Sequence, residues 1–453
     1  MTADPAVDRI VAFVETTLRE GVPAAVREAA KIFAADTLGV AVAGVVAPWR
    51  RAVLDAAREG GGGAEATVLG SGERLPAAAA AMVNAYQIHA QEFDCVHDRA
   101  VVHAMSAVLP ALLAAAEGSR GVAGELFLRA LVAGVEVAVN LGLCSRAPMR
   151  FFRPANAGGF GATVGLAMLS GLDGDGLRDA LGIYYGACSG TMQAHLEASP
   201  QLAMQMGFAA KNALAAVALA RRGMPGPRAP FSGDFGYFAL FDGQADPAPF
   251  ATLGHAWRTA ELSHKPFPTG RATHAGIDGV RRLLDARPDG AKEVSAVRFF
   301  VPPLTARLVG RPARPGMTPG YARLCLAYIG AVLLRQGEVG LADFTPAALS
   351  DSAKLDLARH IAVVEDGNPD PNALGPQRVE IDLAGGGRLE TAVGTVIGSP
   401  ANPLSPAEAK KKFTRCWHAA PGLAPERGET LWQAAHALEG LADIGELARL
   451  AAP

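Results

Sequence analysis

Behind Asp4-Pro5, a cap followed by a first-turn proline, the apolar residues Ile10, Val11, Phe13, Val14 and Leu18 recur at helical spacing. A second helix is predicted from about Pro23 through Val42. Alanine-rich helices follow near 76–92, 106–117, 122–142, 157–170, 176–196 and 204–222. Residues 1–262 therefore read as helix after helix, and their many small residues predict close helix–helix packing.

The pattern changes after Thr259. Val294–Val301 is a β-like run stopped by Pro302-Pro303, and Ile361–Val364 is a shorter one. Val379–Leu383 and Arg388–Val393 alternate around Gly385-Gly386-Gly387, a hairpin signal. Helices are expected at 271–286, 318–336 and 350–360, and the chain turns helical again from Ser405. The fold class expected is mainly α with a smaller α+β domain. Its large helical part spans 1–262 and 401–453, its α+β part 263–400, and both chain ends build the helical part.

Composition narrows the functional classes. Half of the 453 residues are hydrophobic and 19% are charged, so a large core and little disorder are expected. A net charge of −2 gives no support for nucleic acid or an anionic membrane as partner. The most apolar stretch, Leu126–Leu143, carries Arg129 and Glu136, so no uninterrupted run of membrane-spanning length is expected. Acids stand early, with no basic region ahead of an apolar stretch, which argues against a signal peptide. Five scattered cysteines form no CxxC pair and suit a reducing compartment, so the expected location is the cytoplasm.

Candidate chemistry concentrates in two stretches. Asn84 to His103 holds His89, Glu92, Asp94, His97, Asp98 and His103 on a helix end and a loop, a setting suited to acid–base work. Asp94, His97 and His103 are weighed as a metal set, but their spacing matches no zinc motif, and no metal is expected. His264 to Asp278 places Lys265, Arg271 and His274 where a proline-stiffened loop enters a helix, a position that favours a bound carboxylate or phosphate. Gly70-Ser-Gly72 lacks the third glycine of a dinucleotide fingerprint, and Gly60–Gly63 lacks the Gly-Lys-Ser/Thr of a P-loop, so no organic cofactor is expected.

Taken in order, Asp36-Thr-Leu-Gly39, Ala81–Asn84 through His103, Gly207-Phe-Ala-Ala210, Lys265-Pro-Phe-Pro268 through His274, Ala322–Tyr328 and Pro400–Ser405 resemble the MmgE/PrpD family along nearly the whole chain. That family includes 2-methylcitrate dehydratase, cis-aconitate decarboxylase and iminodisuccinate epimerase. The resemblance implies a large helical domain, a smaller α+β domain, an active site in the cleft between them, no cofactor and a homodimer. It further implies Asn84, His97, Arg153, Lys265 and Arg271 as substrate-binding residues and His103, Asp94, His274 and Tyr328 as catalytic ones.

Several positions depart from the family's pattern. Glu92 stands for a common aspartate, Cys95 for an acid, Ala104 for a proline, and Arg153-Pro154 for a His-Pro pair. Leu202 and Gln205 stand where a lysine and a histidine are common, which removes one expected carboxylate partner. Arg153 or Lys211 would have to substitute, or the substrate carries fewer carboxylates. The function implied is a lyase, dehydratase before decarboxylase, that removes a proton beside a carboxylate with His103 as base or acid. The alternatives are an epimerase of an imino- or amino-dicarboxylate and a non-catalytic carboxylate binder. A homodimer predicts twice the chain mass by light scattering at micromolar concentration; a monomer mass would refute it.

Overall fold

In the computed structural model, residues 4–119, 121–287 and 294–453 are described. Asp4 caps α1 (Pro5–Glu20) through the amides of Ala6 and Val7, and its other oxygen accepts from Phe231 and Ser232. There follow α2 (Ala24–Ala43), α3 (Arg50–Glu59), a two-strand ladder of β1 (Ala66–Thr67) and β2 (Arg74–Leu75), and α4 (Ala77–His89). The series continues with α5 (Met105–Ser119), α6 (Gly124–Leu143), α7 (Arg153–Leu169), α8 (Gly174–Gly186), α9 (Gln193–Leu196) and α10 (Gln201–Ala220).

The small residues have a packing role. A Cβ at Gly161 of α7 would lie 2.2 Å from the carbonyl oxygen of Gly134 on α6, and one at Gly165 would lie 2.8 Å from that of Ala130. Side chains there would hold the two helices apart. Three helical stretches, Ala24–Val46, Gly124–Leu143 and Gln201–Ala220, are long and apolar enough to cross a membrane by length and composition. That corrects the expectation that no such run exists: Arg129 and Glu136 do not outweigh the apolar residues around them. The first two stretches are 78% and 83% buried inside the fold, so their apolar faces lie against other helices.

The expected helix over 176–196 is interrupted. Gly190 at φ 118° takes a conformation open to glycine, its carbonyl accepts the amide of Phe152, and Thr191 pairs with Phe151. This break presents α9 separately beside the start of α7.

The second core is built around a four-stranded sheet, ordered β4-β3-β5-β6, from β3 (Val294–Val301), β4 (Ile361–Glu365), β5 (Gln377–Leu383) and β6 (Arg388–Val393). β3 runs parallel to β4 and antiparallel to β5, and β5–β6 is the hairpin expected from the glycine turn, with Asp382 opposite Arg388. α11 (His274–Asp285) packs on this sheet: a Cβ at Gly279 would lie 2.5 Å from the Val379 side chain. α12 (Pro303–Val309), α13 (Pro319–Ala322), α14 (Leu326–Gln336), α15 (Pro346–Leu349) and α16 (Ser352–Ala358) fill the crossover from β3 to β4. The helix expected over 318–336 breaks at Arg323–Cys325, where Cys325 bridges to Gly310 and Arg323 turns toward the helical part.

Ser405 and Glu408 form a capping box at the start of α17 (Pro406–His418), followed by α18 (Pro425–His436) and α19 (Gly445–Leu450). α17 returns to α2: Phe413 lies over Gly39, and Lys412 pairs with Asp36 at 2.6 Å. The larger hydrophobic core thus draws on residues from Ala6 to Leu262 and again from Phe413 to Ala451, and a second core on Phe267 to Leu383. Gly161→Ala is expected to lower stability by roughly 1–3 kcal/mol, the scale of overpacking a filled core. Urea denaturation checks this, and an unchanged midpoint would show that the crossing can open.

Candidate active site

The loop between α4 and α5 is held from several sides. His97 and Val102 bridge across its turn, and Val96 bridges to Ser263 at the junction with the second core. Lys412 donates to the carbonyl of Phe93 at 2.8 Å, and Arg153 donates to that of Ala100 at 3.0 Å. Glu92 (φ 50°) and Val101 (φ 51°) sit in the left-handed region without being glycine, a strained state that persists only where surroundings impose it.

Inside this loop lies a buried charge cluster. Oδ2 of Asp94 is 2.8 Å from Nδ1 of His89 and accepts from Oγ of Ser106. Nδ1 of His103 lies 3.0 Å from the same oxygen, without the alignment of a hydrogen bond. Nζ of Lys265, which has no solvent exposure, is 2.9 Å from Oε2 of Glu92 and 3.5 Å from Oδ1 of Asp94. The two imidazole rings meet edge to face with centroids 4.9 Å apart.

Two carboxylates against one ammonium leave one negative charge, which an imidazolium can neutralise. The two histidines respond oppositely. Burial opposes a charge on His89, but Asp94, through charge and hydrogen bond, and Glu92 raise its pKa above the ordinary 6.5. Burial, joined by the neighbouring Lys265 and His89, lowers that of His103 despite Asp94. The proton therefore belongs on His89, whose bond to Asp94 is aligned, and His103 stays neutral. Burial would raise both carboxyls; Lys265 and the histidines outweigh it, holding Glu92 at about 2 and Asp94 well below its usual range.

A cavity of about 70 Å³ borders the cluster. His89, Glu92, His103, His195 and Arg271 are its ionisable lining residues, and Phe152, Leu202 and Leu324 are among the apolar ones. His195 had no sequence signal; it stands alone on α9, away from both polar stretches. Nη2 of Arg311 lies 3.4 Å from its Nδ1, and since guanidinium donates only, Nε2 carries the hydrogen. That Nε2 is buried without a partner, and burial followed by the charge of Arg311 pushes the ring to about 4, so it is a neutral donor near neutral pH.

The structure brings Asp94, His103 and Lys265 together and adds His89. It separates the rest. Asn84 spends its amide on Leu69 and Thr67, bracing the β1–β2 ladder. His97 is held by Glu261 at 3.0 Å and by the amide of Ala100, and so closes the loop. Arg153 ties Ala100 to Asn372. Arg271 lines the cavity, but Asp98 holds its guanidinium at 2.9 Å through two nitrogens, and a third donates to His264 and Ile397. His274 is fully buried against Phe267 with Nε2 toward the carbonyl of Thr269, and burial holds it neutral. Tyr328 does not reach the cleft. Its hydroxyl donates toward the carbonyls of Asp343 and Ala348 inside the second core. A buried carbonyl needs a donor, and Tyr328 supplies one to Asp343 from another element, which accounts for a buried tyrosine at that position.

Among the described residues, His89, Asp94 and His103 form a set whose ligand atoms lie within 4.8 Å of one another. This differs from the Asp94, His97 and His103 set weighed from spacing, because His97 faces Glu261. The Lys265 ammonium, 3.5 Å from Asp94, already supplies positive charge at that carboxylate.

A helical body and an α+β body thus meet at a buried acid–base cluster. The MmgE/PrpD N-terminal domain model matches residues 8–249 and the MmgE/PrpD C-terminal domain model residues 267–439, and the chain belongs to the MmgE/PrpD family. It is 29% identical to a cis-aconitate decarboxylase-like protein, oryM, of Aspergillus oryzae, over 95% of this chain and 93% of the relative. It is also 27% identical to a cis-aconitate decarboxylase of Aspergillus terreus, over 84% of this chain and 82% of the relative.

Lys265→Met strands two buried carboxylates and is expected to cost about 3–5 kcal/mol in a urea melt. Tyr328→Phe removes one hydroxyl bond and is expected to cost about 1 kcal/mol while leaving turnover intact. A large loss of turnover in a stable Tyr328→Phe variant would return that tyrosine to the chemistry.

Proposed function

We propose that the protein is a lyase acting on a small di- or tricarboxylate, with neutral His103 as base and protonated His89 as acid. The observation that carries this is the pair itself: two imidazoles at one cavity, sharing one carboxylate, with pKa values driven in opposite directions. In dehydration, His103 takes the proton beside a substrate carboxylate, the C–H electron pair becomes the new double bond, and the C–O bond breaks. The hydroxyl leaves as water with the proton of His89. Both rings line the cavity, so solvent resets them once product leaves. His195 Nε2–H is the donor placed to hold a substrate carboxylate, in the role expected of the family lysine that Leu202 replaces.

Decarboxylation is the second reading, favoured by the apolar walls around Phe152, Leu202 and Leu324 and by the names of the relatives. A carboxylate that leaves as carbon dioxide loses its charge, which an apolar wall favours. The C–C electron pair then passes to the unsaturated carbon chain, which takes a proton from His89.

Incubation with hydroxy- and unsaturated tricarboxylates in deuterated water separates these paths. A new alkene with loss of water marks dehydration, and carbon dioxide with deuterium gained marks decarboxylation. Exchange without net loss would instead indicate an epimerase, and no reaction with any polycarboxylate would overturn the lyase reading. His103→Ala is expected to lower turnover by on the order of 10²–10⁴ while the fold persists. The pH profile of kcat/KM for dehydration is expected to be bell-shaped. Its acid limb falls below 6.5 as His103 gains a proton, and its alkaline limb falls above 6.5 as His89 loses one. A single-limbed profile would remove one member of the pair.

A further inference from the structure

The carboxyl of Glu136 lies without solvent exposure midway along α6, between the buried Val135 and Val137. Among the described residues no cationic side chain pairs with it. The charge of Arg258 reaches it, but that guanidinium donates to Glu261 at 2.7 Å and to Thr252 at 3.2 Å. The three bonds of Glu136 all go to one short stretch. Oε2 accepts from the amide of Arg258 at 2.8 Å, and Oε1 accepts from the amide and the hydroxyl of Thr259, each at 2.7 Å. One turn further along α6, the Asn140 side chain accepts from Thr252 at 3.3 Å. Burial still pushes Glu136 up to about 7. An apolar side chain would sit in this helix at lower cost, so packing alone does not account for an acid here.

The segment that Glu136 grips does. Beyond Thr259, every second residue contacts the loop that carries the acid–base cluster. Glu261 holds His97 at 3.0 Å. Ser263 exchanges both backbone bonds with Val96 and donates its hydroxyl to Asp98 at 3.0 Å. Lys265 reaches Glu92 at 2.9 Å. A spacing of two is that of an extended chain, and the contacts run in reverse order along the loop, so segment and loop lie antiparallel. A lengthwise shift of the segment would carry all three contacts with it. The two consecutive amides bound to Glu136 fix its near end against such a shift.

We propose that Glu136 is a positioning residue for the acid–base site: it fixes the segment from Arg258 to Lys265 lengthwise and thereby sets where the loop holds Asp94, His97 and His103. His103 follows directly on the bridge between His97 and Val102, so a displaced His97 displaces it. Glu136 itself touches no substrate. Its catalytic consequence rests on the reading of His103 and His89 as the proton-transfer pair.

The test is NMR of the imidazole nitrogens in the full chain with labelled histidine, which needs no substrate. Glu136→Gln keeps the shape but turns an amide NH2 toward a backbone N–H, so one tie is lost. The ring signals of His89, His97 and His103 are expected to move, and those of the exposed His360 and His418 to stay. Thr259→Val, which removes only the hydroxyl, is expected to move the same signals by less. Tyr328→Phe, which removes a buried bond in the second core, is the control and is expected to leave them in place. Unmoved site histidines in Glu136→Gln would overturn the proposal, as would equal movement in Tyr328→Phe. If the Glu136→Gln chain fails to fold, Thr259→Val decides in the same way. With a polycarboxylate that turns over, kcat of Glu136→Gln is expected to fall by on the order of 10- to 10²-fold with KM held. An unchanged kcat would overturn the positioning role. Turnover of no polycarboxylate by the unaltered protein would overturn the lyase reading and leave the NMR result to decide the role of Glu136.

Discussion

The ammonium of Lys265 has no contact with water, and both of its carboxylates come from a different part of the fold. A buried charge of this kind is tolerated only while its partners stay within reach. Lys265 enters on the segment leading into the α+β body, and Glu92 and Asp94 belong to the loop between two helices of the other body. The pairing therefore fixes the two bodies against each other and fixes the charge of the site in one act. Arg271 with Asp98 and Arg323 with Gln91 repeat the arrangement on either side, each reaching from the second body into the same loop. From the opposite direction Lys412 of α17 holds Phe93, so the returning chain end also braces the loop.

That concentration of ties explains how strained backbone survives at Glu92 and Val101. Each φ near +50° is unfavourable in isolation, and relaxing either would cost buried ion pairs worth more. The same ties consume most of the positive charge at the junction. Arg271, Arg153 and Lys265 look free in a list of basic residues, yet each is matched by an acid or a carbonyl of the protein. The groups left over for a ligand are the neutral or singly protonated imidazoles of His89, His103 and His195. A site of this kind relies on proton position and hydrogen-bond donation more than on a field of fixed cations.

Much of the architecture was legible before any coordinate. Helical spacing, the Asp4 cap, and the alternation around Gly385–Gly387 are local signals, and each acts within a few residues of the element it specifies. The crowding of His and acid residues between Asn84 and His103 pointed, for the same reason, to the loop in which the structure buries a charge cluster. Two expected long helices were broken, at Gly190–Thr191 and at Arg323–Cys325, because contacts with distant segments overrode local preference.

Which member of a polar cluster carries a proton depends on distances that sequence spacing does not encode. His89 and His97 stand in the same stretch, yet one turns to Asp94 and the other to Glu261, a residue far along the chain. Asn84 and Tyr328 bear reactive-looking groups, and each is spent on backbone carbonyls or amides supplied by another element. His195 entered the site only because the chain bends at Gly190 and carries α9 to the cavity. The sequence by itself determined the helices, the hairpin and the neighbourhood of the buried polar cluster, because those rest on near-neighbour periodicity, capping and the crowding of polar residues in one stretch. Tertiary structure alone decided which imidazoles and carboxylates meet and what walls the cavity, because burial and pairing across hundreds of residues set both charge and exposure.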